Sequence, residues 1–209
     1  MNFLVIEGNI GAGKTTLAQM ISNDFNAQLI VEKFADNPFL ERFYENPSAH
    51  AFTLEMSFLA ERYSQFNNEL QNRDLFKDFA VADYYFMKSL IFAGVTLSDD
   101  EYNLYRKFFN LIYTRLPRPD LFVYLHASSD KLLANIAKRG REYERLIEKE
   151  YLEKISAAYF QYFKQQFEFP VVIVDINNAD FVANPKDYLK VCELIFQNSY
   201  DSGITRIII

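Results

Sequence analysis

Apolar residues along the chain fall into short runs bounded by polar or turn-forming residues, and these runs alternate with longer stretches of helical period. The short runs are FLVIE (3–7), QLIV (28–31), FAVAD (79–83), LFVYLH (121–126) and VVIVD (171–175). Continuous apolar segments of this length read as five buried strands. Helical spacing fills the intervals over 15–25, 48–70, 83–92, 99–113, 130–138 and 148–167. Strands that alternate with helices imply an α/β fold in which a five-stranded parallel sheet carries helices on both faces. Pro117 and Pro119 stop the chain before the fourth strand, Pro170 opens the fifth, and Pro185 suits the first turn of a last helix. No linker rich in Gly, Pro or Ser divides the chain, so 1–198 reads as a single domain. The tail 199–209, ending in ITRIII, is assigned no function; a docking strand and a remnant without a role are both open.

Half of the 209 residues are apolar, which excludes disorder. Fourteen Tyr and 21 Phe, with no Trp and only six Gly, suit bulky helix packing around a buried sheet. With 22 basic against 28 acidic residues the net charge is −6, so no general basic surface exists for a nucleic-acid backbone or an anionic membrane. Any phosphate site must be local. A single cysteine, Cys192, excludes a disulfide framework and most structural zinc sites. The opening MNFLVIEGN has an apolar run of four with no basic segment ahead of it. The expectation is a cytoplasmic protein without signal peptide or membrane span.

The first strand runs into GNIGAGKTT, comprising Gly8, Asn9, Ile10, Gly11, Ala12, Gly13, Lys14, Thr15 and Thr16, and a helix follows directly. This is the phosphate-binding loop pattern G-x-x-x-x-G-K-T in its required strand-to-helix setting. The glycines let successive N–H groups point at a β-phosphate, and the helix adds its positive end. Lys14 reaches the β- and γ-phosphates, the Thr15 hydroxyl is placed to ligate Mg2+, and Thr16 serves the α-phosphate. A chain this short, without a guanine-recognition motif for the cofactor, is most economical as a small-molecule kinase. Such an enzyme needs a base, a cationic lid and an acceptor pocket.

Glu32, at the carboxyl end of the second strand, is the candidate base, with a solvated Glu32–Lys33 pair as the alternative. KRGREYE (138–144) offers Arg139 and Arg141 on either side of Gly140, either as phosphate clamps in a lid at about 138–147 or as solvated charges at a helix end. Glu55 and Arg62, two turns apart on one helix, share a face with Phe58 and Leu59 and could line a base pocket or form a surface ion pair. Asp83 closes the third strand, as a site residue, a helix N-cap or both.

Taken together, IEGNIGAGKTTLA, DNPFLERFYENP, FTLEMSFLAERYSQ, VADYYFMKSLIFA, KRGREYE and a late NADF resemble the deoxynucleoside kinase family over nearly the whole chain, most closely its bacterial deoxyguanosine-phosphorylating members. The resemblance implies a phosphate-loop kinase fold with a short arginine-bearing lid, ATP as donor and a purine deoxynucleoside as acceptor. Glu32 would take the proton of the 5′-hydroxyl, Tyr44 and Glu144 would hold the 3′-hydroxyl, and Glu55, Arg62 and Asp83 would contact the base. Arg139 and Arg141 would be the lid cations, with Asp180 and Phe181 near the adenine of ATP. The family also implies helix-to-helix pairing into a homodimer, in line with apolar surface on the helices from Ser48 and Asp83.

Two departures stand out. A Glu-Arg-Ser triplet common in the family is replaced by KDFAVAD, which leaves the second metal contact open, and Asn135 stands where relatives often carry a third lid cation. At the base, an ionised Glu55 only accepts, which suits the adjacent N1–H and N2–H donors of guanine; Arg62 would then donate toward O6 or N7. Deoxyguanosine is therefore the expected substrate, deoxyadenosine or deoxycytidine the rivals. A nucleoside monophosphate kinase and a non-catalytic nucleotide-binding subunit are the competing readings.

Overall fold

Successive side chains along each strand point to opposite faces of the sheet, and in this chain both faces are apolar. Leu4 and Ile6 of the first strand join Val123, Val172 and Val174 in one buried cluster, while Phe3 and Val5 join Phe122, Tyr124 and Ile173 in another. The sheet must therefore be covered on both sides. In the computed structural model, which describes residues 1–33, 37–72, 74–165 and 168–209, it is. Its elements are β1 (Phe3–Gly8), α1 (Lys14–Asp24), β2 (Gln28–Ile30), α2 (Leu40–Glu45), α3 (Pro47–Gln71), β3 (Ala80–Ala82), α4 (Lys88–Thr96), α5 (Asp99–Tyr113), β4 (Leu121–His126), α6 (Ser129–Arg139), α7 (Lys149–Phe163), β5 (Pro170–Asp175), α8 (Pro185–Phe196) and β6 (Gly203–Ile208). A 3-10 turn, Glu142–Leu146, joins α6 to α7.

The sheet has six strands, not five, in the order β2-β3-β1-β4-β5-β6, and every pairing is parallel. The sixth is the unassigned tail, in register from Gly203 opposite Pro170 to Ile208 opposite Asp175. As an edge strand it shows alternating partial burial rather than a continuous apolar run, which is why its pattern does not stand out. Leu17 and Ile21 of α1, Ile136 of α6 and Val191 of α8 cover one face; Ile91 of α4, with Ile155, Tyr159 and Phe163 of α7, covers the other.

The helix expected from residue 83 starts only at Lys88, after turns, so Asp83 is not its N-cap. α2 is an addition to the pattern, short enough to leave none of its own. Asp36 of the DNPFL segment, and the last two residues of the helix expected to reach 167, lie outside the described residues. The apolar surface of α3 and α4 is largely used internally, since Leu59, Phe86 and Ala93 pack with Tyr105 and Phe109 of α5. The apolar stripe left exposed lies instead on α5, at Leu104, Phe108 and Leu111. No helix among the described residues is long and apolar enough to cross a membrane.

Candidate active site

β1 lies between β3 and β4, so the loops leaving its carboxyl end open onto a crevice. Here the phosphate-loop residues form a preset turn. Gly13 has φ +84° and lies under the Phe181 ring, where a Cβ would come within 2.8 Å of Cζ. Only glycine meets both the left-handed backbone and that close approach. Asn9 anchors the loop by donating from Nδ2 to the Leu152 carbonyl (2.7 Å) and to Ser156 Oγ (2.8 Å). Asn135, one of the departures from the family pattern, donates to the Gly11 carbonyl at 2.9 Å and so braces the loop. Lys14 Nζ donates to the Asn9 carbonyl at 2.9 Å; burial, then the positive charge of Lys88, pushes its pKa down to about 8.

Glu32 sits just beyond β2 and is buried. Its Oε1 accepts from Arg62 Nε (2.8 Å) and Nη2 (2.6 Å), and its Oε2 accepts from Lys88 Nζ. Burial alone would raise this carboxyl, but Lys88 and Arg62 outweigh it and hold the pKa down at about 2. The Glu32–Lys33 pair is not formed; Lys33 lies 3.8 Å from Glu69 in an exposed contact. Lys88 is the site residue that the pattern reading missed. Its one signal was a lone lysine in the apolar stretch YYFMKSLIFA.

Arg62 shares a helix with Glu55, yet it pairs with Glu32, and Nη1 donates to Ser89 Oγ at 2.8 Å. The Arg62 guanidinium also lies 4.8 Å from the Phe58 ring centroid. Leu59 faces away into the helix cluster. Asp83, which the resemblance puts against the base, borders the cavity that contains Glu55; one of its oxygens accepts from the Thr15 hydroxyl and the other from the Glu32 N–H at 2.7 Å. Hydroxyl and carboxylate oxygens beside a phosphate loop are the hard donors Mg2+ takes.

Glu55 is 2% exposed, with Oε2 lacking any hydrogen-bond partner and Oε1 accepting from Thr96 Oγ1 at 3.0 Å. Burial drives its pKa up to about 7 against the pull of Arg62, the Thr96 hydrogen bond and Lys88. Glu144 is buried and ties the segment after α6 together, accepting from Arg139 Nε (3.0 Å) and Nη2 (2.6 Å) and from Arg141 Nη1 (3.3 Å). Tyr44 stacks on Tyr143 with ring centroids 6.1 Å apart. Asp180 is a loop former, its carboxylate accepting from the N–H groups of Val182 and Ala183. Lys131 holds the same loop by donating to the carbonyls of Ile176, Asn177 and Ala179. Glu7, also missed, is fully buried behind the phosphate loop and accepts from the N–H of Gly8 and Tyr85 and from the Tyr159 hydroxyl. Its burial pushes its pKa up.

Two cavities meet at this point. One, of about 720 Å³, runs over the phosphate loop toward Asp180 and Phe181. The other, walled by aromatics such as Phe43, Phe58 and Tyr151, contains Glu55. Both are bordered by Lys14, Thr15, Glu32, Arg139 and Arg141. A donor chamber and an acceptor chamber that share these groups, on a sheet with a phosphate loop at its switch point, define a phosphate-loop kinase acting on a small molecule. Comparison with known proteins narrows the class. The sequence profile described as deoxynucleoside kinase matches residues 4–199, and the chain belongs to that family. It is 40% identical to the deoxyguanosine kinase of Bacillus subtilis (strain 168) over 193 residues, 90% of this chain and 93% of the relative. It is 33% identical to the deoxyadenosine kinase of Dictyostelium discoideum over 86% of this chain and 73% of that one. The solved structure of M. mycoides deoxyadenosine kinase with bound dATP superposes with TM-score 0.81 at 26% identity, covering 94% of this chain and all of that one. The protein is accordingly a deoxynucleoside kinase, which uses a nucleotide donor to phosphorylate a nucleoside.

Proposed function

We propose that the preferred reaction is transfer of the γ-phosphoryl group of ATP to the 5′-oxygen of purine deoxynucleosides, deoxyguanosine before the others. The observation that carries this is the unpartnered Glu55 Oε2, a buried acceptor in the aromatic chamber. Guanine alone among the deoxynucleoside bases at issue offers two adjacent donors to such a carboxylate, while adenine and cytosine oppose it with a ring lone pair. Arg62 has two N–H groups not used by Glu32 or Ser89, which leaves it able to donate toward an acceptor on the same base.

In this reading Glu32 accepts the proton of the 5′-hydroxyl as its oxygen forms the new bond to phosphorus, and the departing ADP takes the electrons of the broken bond. Lys14, Arg139 and Arg141 balance charge on the transferring group. Thr15 and Asp83 would hold Mg2+, which supplies charge neutralisation along the phosphates. Tyr44 and Glu144 would bind the 3′-hydroxyl; Phe181 and the loop shaped by Asp180 would flank the adenine. The cytoplasm is where such a salvage substrate and ATP occur together.

Glu55→Gln replaces one acceptor with a donor. It is expected to lower kcat/KM for deoxyguanosine and to raise it for deoxyadenosine and deoxycytidine, moving their ratio about ten- to hundredfold, the scale of a buried mismatch of about 1–3 kcal/mol. Steady-state kinetics on the three nucleosides, wild type and variant side by side, check this. A wild-type preference for deoxyadenosine, or a ratio the substitution does not move, would remove Glu55 as the guanine reader.

The assembly we infer is a homodimer, supported by the exposed stripe Leu104, Phe108 and Leu111, spaced four and three residues apart on one face of α5. Sedimentation at micromolar concentration should give twice the 24.6 kDa chain mass, and Leu111→Glu should halve it. A wild type that sediments as the single chain refutes the dimer.

A further inference from the structure

Among the described residues the one hydrogen-bond donor to the Glu55 side chain is a hydroxyl that has a second acceptor within reach. Thr96 Oγ1, at the last residue of α4, lies 3.0 Å from Glu55 Oε1 and also 3.0 Å from the carbonyl of Phe92, one turn back on its own helix. A hydroxyl carries a single proton. It therefore serves one acceptor at a time, and a rotation about the Thr96 side-chain bond moves it between them.

We propose that Thr96 is the positioning residue that decides how Glu55 presents itself to the nucleobase: as two acceptors when the hydroxyl donates to Oε1, and as a donor–acceptor pair when it turns to the Phe92 carbonyl. The proposal rests on the reading of Glu55 as the base contact. Donation to Oε1 stabilises the carboxylate, the form suited to guanine. Withdrawn, it leaves a buried carboxyl with neither oxygen hydrogen-bonded to a described residue, which favours the protonated form, whose O–H and carbonyl oxygen suit the lone pair and donor of adenine.

The groups around Glu55 leave it free to respond. Arg62, on the same helix, and Lys88, on α4, favour the carboxylate, and Glu32 beyond β2 opposes it. Arg62 and Glu32 hold each other charged throughout the neutral range. The phenols that face it, Tyr44 on α2, Tyr105 on α5 and Tyr151 on α7, are pushed up by burial and stay neutral. Glu55 itself is raised by burial to about 7, within the working range.

The test follows from the arithmetic of one titrating group. If deoxyguanosine needs the carboxylate and deoxyadenosine the acid, the ratio of their kcat/KM values tracks the ratio of the two forms in the free enzyme. In wild type it should climb about tenfold per pH unit between about pH 6 and 8.5. Thr96→Val keeps the shape and removes the hydroxyl, so the acid form gains; the ratio should drop about tenfold at every pH with the slope retained, the loss of one hydrogen bond to a charged group. Thr96→Ser should restore it, and Thr96→Ala should repeat the valine result. Because both substrates are turned over by the same folded molecules, the ratio is insensitive to a fraction of unfolded variant. A ratio in Thr96→Val within about twofold of wild type, while Glu55→Gln flattens the slope, overturns the role of Thr96 and leaves Glu55 as the reader. A wild-type ratio that is flat with pH and unmoved by Glu55→Gln overturns the reading of Glu55 instead.

Discussion

Lys14→Ala is expected to lower turnover by at least about 10³-fold while leaving the fold in place, because in the proposed reaction the lysine acts on charge that develops in the transition state rather than on packing. Its loop contact is the hydrogen bond to the Asn9 carbonyl, and other contacts hold the turn. Asn9 is tied to α7 through Leu152 and Ser156, Asn135 braces the Gly11 carbonyl, and the left-handed glycines set the turn. What Lys14 adds is a buried positive charge beside Lys88, which Glu7, Glu32 and Asp83 offset only in part. Burial and Lys88 hold the ammonium down at about 8, so the free site disfavours the charge that a triphosphate would stabilise. The amine is thus poised to interact more strongly with phosphate than a solvated lysine does. Removing it ends the cost of burying that charge and gives up one hydrogen bond to Asn9, so the melting temperature should stay near the wild-type value. Single-turnover assays with deoxyguanosine and ATP, together with a thermal scan, check both halves. Turnover within tenfold of wild type would mean that Lys14 does not serve the transferring phosphate.

The parts of this architecture that were legible in the sequence are those written in contiguous residues. β1, the phosphate loop and α1 follow one another without interruption, and the glycine spacing carries both the turn and its chemistry. α5 has the same bounds in pattern and structure because Ser98 and Glu101 form a reciprocal cap at its start. α6 ends where Gly140 takes φ +75°. What escaped was written across the sequence. Glu32 meets Lys88, 56 residues away, because β2 and β3 are parallel neighbours and both chains leave the sheet on the same side. Helical spacing pairs Arg62 with Glu55, but a long side chain on a helix beside the sheet reaches a strand end as easily as its own next turn. Asp83 follows Ala82, which pairs with Ile30, and so comes alongside Glu32 at the border of the chamber that contains Glu55. The start of α4 was hidden by residues apolar on every side, and β6 by having one neighbour only.

These long-range contacts give the second large effect, expected for Glu32→Gln. Arg62 and Lys88 hold the carboxyl at about 2, so it is ionised at any pH at which the enzyme works. A base that weak gains little by removing a proton from the free alcohol. In the proposed reaction it contributes late, when bonding to phosphorus has made the 5′-hydroxyl acidic, and until then it would fix the attacking oxygen's orientation. Glutamine keeps the shape and loses both the charge and the ability to take the proton, so kcat should fall about 10²–10⁴-fold with KM for the nucleoside changed little. The stability consequence has a definite sign. A carboxyl depressed in the folded state contributes stability that is complete above its unfolded value near 4.5 and is lost as pH falls toward 2. Glu32→Gln should therefore melt lower than wild type at neutral pH, with two buried cations short of a partner, and the gap should close as the medium is acidified through that window. The kinetic profile offers a separate check, because an ionisation at about 2 places no acid limb near neutrality; in the proposed reading Glu55 gives the deoxyguanosine profile an acid limb near 7, and that limb should persist in the residual activity of Glu32→Gln and be lost in Glu55→Gln. An unchanged kcat with a raised KM would make Glu32 a binding group, and a limb near 7 that vanishes with Glu32 would mean that Glu32, and not Glu55, is the carboxyl titrating there.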